Sequence, residues 1–316
     1  MRHAGTAVGS LAAAGAAALA YASLVERNWY ALREVTVPVL PPGASPLRVL
    51  HLSDLHLTPS QRRKRDWVRD LASLRPDLVV DTGDNIAHAD GLRPVLDALD
   101  PLLGTPGAFV MGSNDYYAPR LKNPARYLRA DARDTHHVLP VRLPAGELAA
   151  ELVRAGWRDL TNTRDSVEAG GRTVDLVGVD DPHLDRDRFP IRPPEAASAP
   201  GTTGTERALR IGVAHAPYVR VLDAMLADGS DLILAGHTHG GQLAVPFYGA
   251  LVTNCDLDPG RAKGLHGWPG ARPDTPAGQA VHSTWLHVSA GLGTSPYAPV
   301  RFACRPEATL LTLVGR

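Results

Sequence analysis

The amino-acid sequence predicts an α/β fold in which central sheets are covered by helices. Two observations carry that expectation. From Ser45 onward, short β-branched runs alternate with helical patterns, the order expected of sheets joined by crossover helices. The apolar runs also end in small polar clusters, and ligands of α/β sheets collect outside the carboxyl ends of strands. Composition permits a packed core: the 316 residues are 44% apolar, 33 Lys plus Arg balance 33 Asp plus Glu, and 13 are His. The zero formal balance argues against a nucleic-acid partner, which normally demands a Lys/Arg surplus to neutralise phosphates. Cys255 and Cys304 are too few for a disulfide scaffold or a Cys-rich zinc module. A single bridge stays open, and two buried thiols are the simplest reading.

Residues 1–30 read as a hydrophobic leader. Ala4 to Val25 carries no charged side chain, follows Arg2 and precedes Glu26 and Arg27, the charge layout of a membrane segment about 20 residues long. Most of it is Ala and Gly, with Val8, Leu11, Leu19, Leu24 and Val25 as the strong apolar contributors, so insertion is marginal. Three readings stand. The leader is a single-pass N-terminal anchor in the cell membrane, or a signal peptide cleaved near Ala20-Tyr21-Ala22 that leaves a secreted protein, or an Ala-rich helix in water. The expected architecture is a short N-terminal hydrophobic helix followed by one catalytic domain over residues 45–316.

Within that domain, Leu47 to Leu52 runs into Ser53-Asp54-Leu55-His56. Asp77 to Val80 runs into Asp81-Thr82-Gly83-Asp84-Asn85, and Ala108 to Met111 into Gly112-Ser113-Asn114-Asp115. Leu209 to Ala214 delivers His215, Asp231 to Ala235 delivers Gly236-His237-Thr238-His239, and Trp285 to Ser289 delivers Ala290-Gly291-Leu292-Gly293. Helical patterns over Arg62 to Leu74, Pro94 to Leu103, Gly146 to Arg154 and Tyr218 to Ala227 supply the crossovers. Arg186 to Glu206 and Gly267 to Ala280, rich in Pro, Gly, Ala and Thr, read as surface loops.

Seven donors emerge from these clusters. Asp54 and His56, one residue apart, project to the same face if strand geometry persists. Asp84 follows a glycine in a tight turn, and its two oxygens suffice to bridge two cations. Asn114 offers an amide oxygen, His215 one imidazole, and His237 with His239 two more at the Asp54/His56 spacing. Carboxylate, imidazole and amide donors without thiolates suit catalytic Mn, Fe or Zn, whereas structural zinc favours closed Cys-rich tetrahedra.

In this order the motifs resemble the calcineurin-like metallophosphoesterase family: Asp-x-His, Gly-Asp, Gly-Asn-His-Asp, a lone His, then Gly-His-x-His. The match spans roughly residues 45 to 315. Gly236 to Gln242, with Gly291-Leu292-Gly293-Thr294 and Pro299-Val300-Arg301, looks most like the YkuE-type membrane-associated branch of that family. The resemblance implies a four-layer α-β-β-α sandwich and two divalent metal ions. It implies that Asp54, His56 and His239 hold one metal, His215 and His237 the other, that Asp84 bridges them, and that Asn114 is a seventh ligand. Two such ions about 3.5–4 Å apart lower the pKa of water and orient it for in-line attack on phosphorus, with catalytic duty on Asp84, Asn114, Asp115 and His237.

The third motif departs from the pattern. Where the family reads Gly-Asn-His-Asp, this chain reads Gly112-Ser113-Asn114-Asp115. A gapless alignment sets Ser113 on the metal, and a one-residue slip keeps Asn114 as the ligand. Either way the His that serves the leaving oxygen in the family is lost, a task worth roughly a hundredfold for a positioned acid. Asp115 takes it over only if its surroundings raise its pKa.

Other candidates have plainer readings. His51, His183, His282 and His287 are expected as hydrogen-bonded residues away from the site, and His88 is a weaker site candidate. Gln61-Arg62-Arg63-Lys64-Arg65 is either a solvated helix start or a phosphate- or lipid-attracting run. Asp180-Asp181-Pro182-His183 is a turn or a support for the site, and Tyr116 with Tyr117 a substrate wall or a core edge. The function expected is a metal-dependent phosphoesterase acting on a phosphorylated small molecule or lipid, with no nucleic-acid partner. The alternatives are a membrane-surface pyrophosphohydrolase for a lipid-linked substrate of the UDP-2,3-diacylglucosamine kind, and a catalytically weakened binder of a phosphorylated ligand.

Overall fold

The structure, a computed structural model, describes residue 10 and residues 13–120, 141–192 and 208–316. Much of the leader's start, and the second half of the loop expected over Arg186 to Glu206, lie outside the described residues. Residues 13–20 are helical, and single turns follow at Tyr21–Val25 and Glu26–Asn28. Among the described residues no helix is long and apolar enough to cross a membrane.

In chain order the strands are β1 (Ala31–Leu40), β2 (Leu47–Leu52), β3 (Leu78–Asp81), β4 (Gly107–Phe109), β5 (Arg158–Asp159), β6 (Arg164–Ala169) and β7 (Arg172–Gly178). They continue as β8 (Leu209–Ala214), β9 (Leu232–Ala235), β10 (Ala244–Val245), β11 (Gly249–Ala250), β12 (Gly264–Trp268), β13 (Thr284–Val288) and β14 (Glu307–Gly315). One six-stranded sheet runs β1-β14-β2-β3-β4-β5, the other β12-β13-β9-β8-β7-β6, and β10 and β11 form a separate hairpin.

Alternation along the strands explains why the sheets stack. In β2, Leu47 and Val49 enter the core between the sheets while Leu50 and Leu52 enter the core beneath the outer helices, as a period of two requires. Leu232 and Leu234 of β9 likewise face the inner core and Ile233 the outer one. The helices Arg62–Asp70, Leu92–Leu99 and Ala145–Arg154 bury Val68, Val95, Leu99, Leu148 and Leu152 on the first sheet. The helix Val219–Ala227 buries Val221, Leu222 and Met225 on the second. The result is the four-layer α-β-β-α sandwich.

Three details differ from the sequence reading. Strand β1 lies ahead of the expected boundary at residue 45 and pairs parallel to β14 at the sheet edge. Arg33, Glu34 and Pro38 interrupt its apolar pattern, and an edge strand tolerates the missing N–H of proline. Gly267 to Ala280 is no simple loop, since it overlaps β12 and a short helix, Pro276–Ala280. The hairpin β6–β7, turning at Gly170-Gly171, carried too little apolar periodicity to be read in advance.

Candidate metal centre

Parallel pairing aligns β2, β3 and β4 in one sheet and β7, β8, β9 and β13 in the other, so their carboxyl ends gather at one end of the sandwich. There the backbone turns sharply. Asp54 (φ 52°), His56 (41°), Asp84 (59°), His237 (67°) and His239 (49°) all adopt left-handed conformations, which cost an L-residue about 1–2 kcal/mol each. Asp54 and His56 therefore do not share a face through strand alternation: β2 ends at Leu52, and two left-handed residues flanking Leu55 swing both side chains inward. The strain is held by a zipper in which the amides of Asp54, His56 and Leu57 donate to the carbonyls of Gly83, Asp84 and Asn85 at 2.8–2.9 Å. Gly236 is a packing requirement, because a Cβ there would stand 2.6 Å from Asp54 Oδ2 and overlap Ser53 Oγ.

All seven expected donors gather here, each in reach of at least one other. His56 Nε2 lies 3.9 Å from Asp54 Oδ1 and 3.5 Å from Asp84 Oδ2. His239 Nε2 is 3.6 Å from Asp54 Oδ1, and His215 Nε2 is 3.5 Å from Asp84 Oδ1. Two overlapping groups have the compactness of a cation site, Asp54/His56/His239 and Asp54/Asp84/His215. The first is the trio expected for one metal. In the second the shared carboxylate is Asp54, and His237 joins only through His215, its Nδ1 facing His215 Nε2 at 3.3 Å.

The His215 ring tests whether the residues fit a cation. His215 Nδ1 meets the carbonyl of Thr82 at 2.8 Å and His237 Nε2 the carbonyl of Asn254 at 3.2 Å. A carbonyl only accepts, so His215 Nδ1 carries the proton and its Nε2 lone pair faces Asp84 Oδ1 at 3.5 Å, while His237 Nε2 has both the carbonyl and, at 3.4 Å, the Nδ2 of Asn254 beside it. Something positive must stand between His215 Nε2 and the carboxylate. Asp54 Oδ1 and both ring nitrogens of His56 are also buried without a hydrogen-bond partner, a cost that native interiors rarely accept for nothing. The donors fit a divalent cation pair.

Electrostatics agree. Burial holds His56 down to about 4 and pushes His237 and His239 well below the usual imidazole range, so at neutral pH all three are neutral and able to ligate. Burial also opposes a charged His215, but the carboxylates of Asp84, Asp54 and Asp181 outweigh it and raise the ring to about 9. Without metal, a proton takes the place of the cation there. Burial raises Asp54 to about 6, while for Asp84 the imidazoles of His215 and His56 overcome burial and lower it.

In the third motif it is Asn114 that reaches the second. Its amide N–H and its Nδ2 both donate to Asp84, each at 2.7 Å, which leaves Oδ1 as its acceptor. Asp115 is fully buried. Its Oδ2 accepts from the amides of Asp84 (2.8 Å) and Gly112 (2.9 Å), and its Oδ1 from those of Asn85 (2.8 Å) and Ile86 (3.3 Å). Burial, then the charge of Asp84, push it up to about 6. With four amides on two oxygens it clamps the second motif to the third, a different task from meeting a leaving group.

Several residues around the site were not legible as such. Asp181 is buried and raised by burial to about 7, with Oδ1 accepting from the His183 amide and Oδ2 unpartnered. The ring of His183, expected away from the site, sits 4.6 Å from that of His237 and meets Tyr218 Oη at 3.1 Å. Tyr116 Oη donates to Asp180 beneath the guanidinium of Arg186. Arg301 is completely buried and donates to the carbonyls of His239, Ala290, Gly291, Gly293 and Cys304. Lys64 leaves the expected solvated run to donate to Leu55 O at 2.7 Å, and burial lowers its ammonium to about 7. His51 and His287 are core residues, Nδ1 to Nδ1 at 2.9 Å, whereas His88 is exposed and turned to Asp90. Both cysteines are buried free thiols.

Fold and site together define a metal-dependent phosphoesterase of the two-sheet sandwich class. The chain belongs to the calcineurin-like phosphoesterase family, which it matches over residues 47–241. It is 27% identical to "Phosphodiesterase YaeI" of Escherichia coli (strain K12), across 93% of this chain and 92% of that one. It is 26% identical to the "Uncharacterized metallophosphoesterase YkuE" of Bacillus subtilis (strain 168), across 97% and 93%. A "Transmembrane protein with metallophosphoesterase domain" of Bos taurus is 29% identical across 90% of this chain and 57% of its own length.

Proposed function

We propose that the chain hydrolyses phosphoester bonds with water activated between two divalent cations, Mn, Fe or Zn. The observation that carries this is the pair of overlapping donor groups sharing Asp54, with His56 nitrogens and Asp54 Oδ1 buried and unpartnered. Asp54, His56 and His239 would hold one ion; Asp84, His215 and His237 the other, with Asn114 Oδ1 as a further donor. Bound there, the cations supply Lewis acidity, neutralising phosphoryl oxygens and making water a nucleophile near neutral pH. The chain's own work is positioning. Thr82 fixes the His215 tautomer, Asn254 holds the His237 ring in place, Asn114 orients Asp84, Arg301 braces the His239 loop, and Asp115 holds the turn on which Asp84 stands. Asp115 acts through that turn and not as the leaving-group acid. The uncharged leader supports placement at the cell membrane, and "Phosphodiesterase" in the name of the YaeI relative favours diesters over monoesters.

The test is hydrolysis of bis-p-nitrophenyl phosphate by the full chain supplied with Mn. We expect turnover that chelation abolishes, that Mn restores, and that Asp54→Asn lowers roughly a hundredfold or more. Full turnover after exhaustive chelation overturns the proposal.

A further inference from the structure

Beside the metal centre the chain exposes apolar groups that a solvated rim does not need. Gly240 to Cys255 contains no charged residue. Within it the hairpin β10–β11 presents Leu243 (51% exposed), Tyr248 (78%), Leu251 (55%) and a fully exposed Phe247. Phe247 occupies a left-handed position, φ 66°, in a turn closed by Tyr248 N donating to Val245 O. After Pro246 such a position suits glycine, and a bulky aromatic there opposes the local backbone preference. Its ring is held out against that preference and touches no core.

The hairpin and the leader meet on one segment. Phe302 bridges Leu243 on one side, exchanging backbone bonds with Gln242 and Ala244, and packs edge-on against Tyr21 on the other. Next to it, Arg301 N donates to Ala22 O. The uncharged stretch Ala4 to Val25 thus ends on the face that carries Phe247, and whatever apolar phase receives the leader abuts the hairpin. The charges differ between the two sides of the hairpin: the exposed carboxylates of Asp256 and Asp258 follow it on the side away from the leader, and arginines stand on the leader side. These are Arg27 and Arg305, Arg305 lying over the exposed Trp29 ring at 4.0 Å, while Glu26 is turned inward onto the amides of Ala303 and Cys304. Aromatic rings with arginines at an apolar edge match the headgroup level of an anionic bilayer.

We infer that hairpin β10–β11 and the end of the leader form one docking face for an anionic lipid bilayer, which sets the metal centre at the membrane surface. The inference deepens the phosphoesterase reading and rests on it only in making a lipid phosphodiester the substrate class. Arg301, bonded to both Ala22 and His239, ties the docked face to the site.

The test uses the full chain with vesicles of phosphatidylglycerol and phosphatidylcholine. An NBD fluorophore on Phe247→Cys is expected to shift to the blue and to be quenched by doxyl-labelled lipid. The same fluorophore on Glu168→Cys, in β6 away from the hairpin, is expected to stay water-like. Phe247→Gly with Tyr248→Ser, which the turn accommodates, should lower hydrolysis of a vesicle-embedded phosphodiester about tenfold for each large side chain that leaves the lipid. Its rate on soluble bis-p-nitrophenyl phosphate should be unchanged. Failure of vesicle binding, water-like emission at 247 on bound protein, or a blue shift that needs only protein concentration and no lipid each overturns the docking face. If the soluble ester is not cleaved either, the phosphoesterase reading fails while the fluorescence still decides the docking.

Discussion

Asp115→Asn separates clamping from acid catalysis. The carboxylate receives four amides, two on each oxygen. An Asn in the same pocket turns one acceptor into an NH2 donor facing two N–H groups, so two bonds are lost and two buried amides are left unpaired. Hydrogen bonds to a charged acceptor contribute about 1.5–3 kcal/mol each. Allowing for relaxation, the expected loss is about 3 kcal/mol, a large share of the 5–15 kcal/mol typical of a domain. In a chain of 316 residues, at about 2.1 cal/mol/K of unfolding entropy per residue, that is a fall of roughly 4–5 °C in Tm. Activity falls too, by about 10–100-fold, because the Asp84 turn loosens. The shape of the pH-rate profile for kcat is preserved, because the carboxyl that is removed exchanges no proton with the substrate. Thermal denaturation and pH-rate measurements on the same preparations decide it. An unchanged Tm together with the disappearance of one limb of the profile would show that Asp115 is the leaving-group acid and that the clamp is incidental.

Further outcomes follow from the same geometry. Burial lowers His287 to about 3 and His51 well below its ordinary value. The unfolded chain takes up protons between pH 6.5 and about 3 that the folded chain refuses, so their stabilising contribution is present above pH 6.5 and lost on acidification. Urea midpoints measured from pH 7 to pH 4 should fall less steeply in His287→Leu than in the wild type, and equal slopes would contradict this. Arg301→Lys keeps the charge but not the fork that reaches five carbonyls; it should weaken metal affinity about 10–100-fold, read by Mn titration, and an unaltered affinity would detach Arg301 from the site. Gly236→Ala should eliminate metal binding, since its methyl overlaps Ser53 Oγ and crowds Asp54, and a fully metallated variant would show the packing argument to be mistaken.

The layers and most donors were legible because each signal is local. Strand ends running into Asp-x-His or His-x-His need no tertiary knowledge, and β2, β8 and the helix ending at Arg154 fall where the apolar patterns placed them. What stayed hidden depends on backbone direction or distant partners. Left-handed turns at five site residues look like any other dipeptide spacing in the sequence. Arg301 and Lys64 read as solvated cations until the carbonyls they reach are known, and Asp181 is brought beside His215 and Asp84 only by the pairing of β7 with β8. Strand β1 was lost because its partner, β14, lies at the other end of the chain.

Anomalous diffraction at the manganese edge tests the cation pair most directly. Crystals grown with Mn should give two peaks about 3.5–4 Å apart, one against Asp54, His56 and His239 and the other against Asp84 and His215. A single peak, or peaks elsewhere with His215 Nε2 and His237 Nδ1 still facing each other, would contradict it.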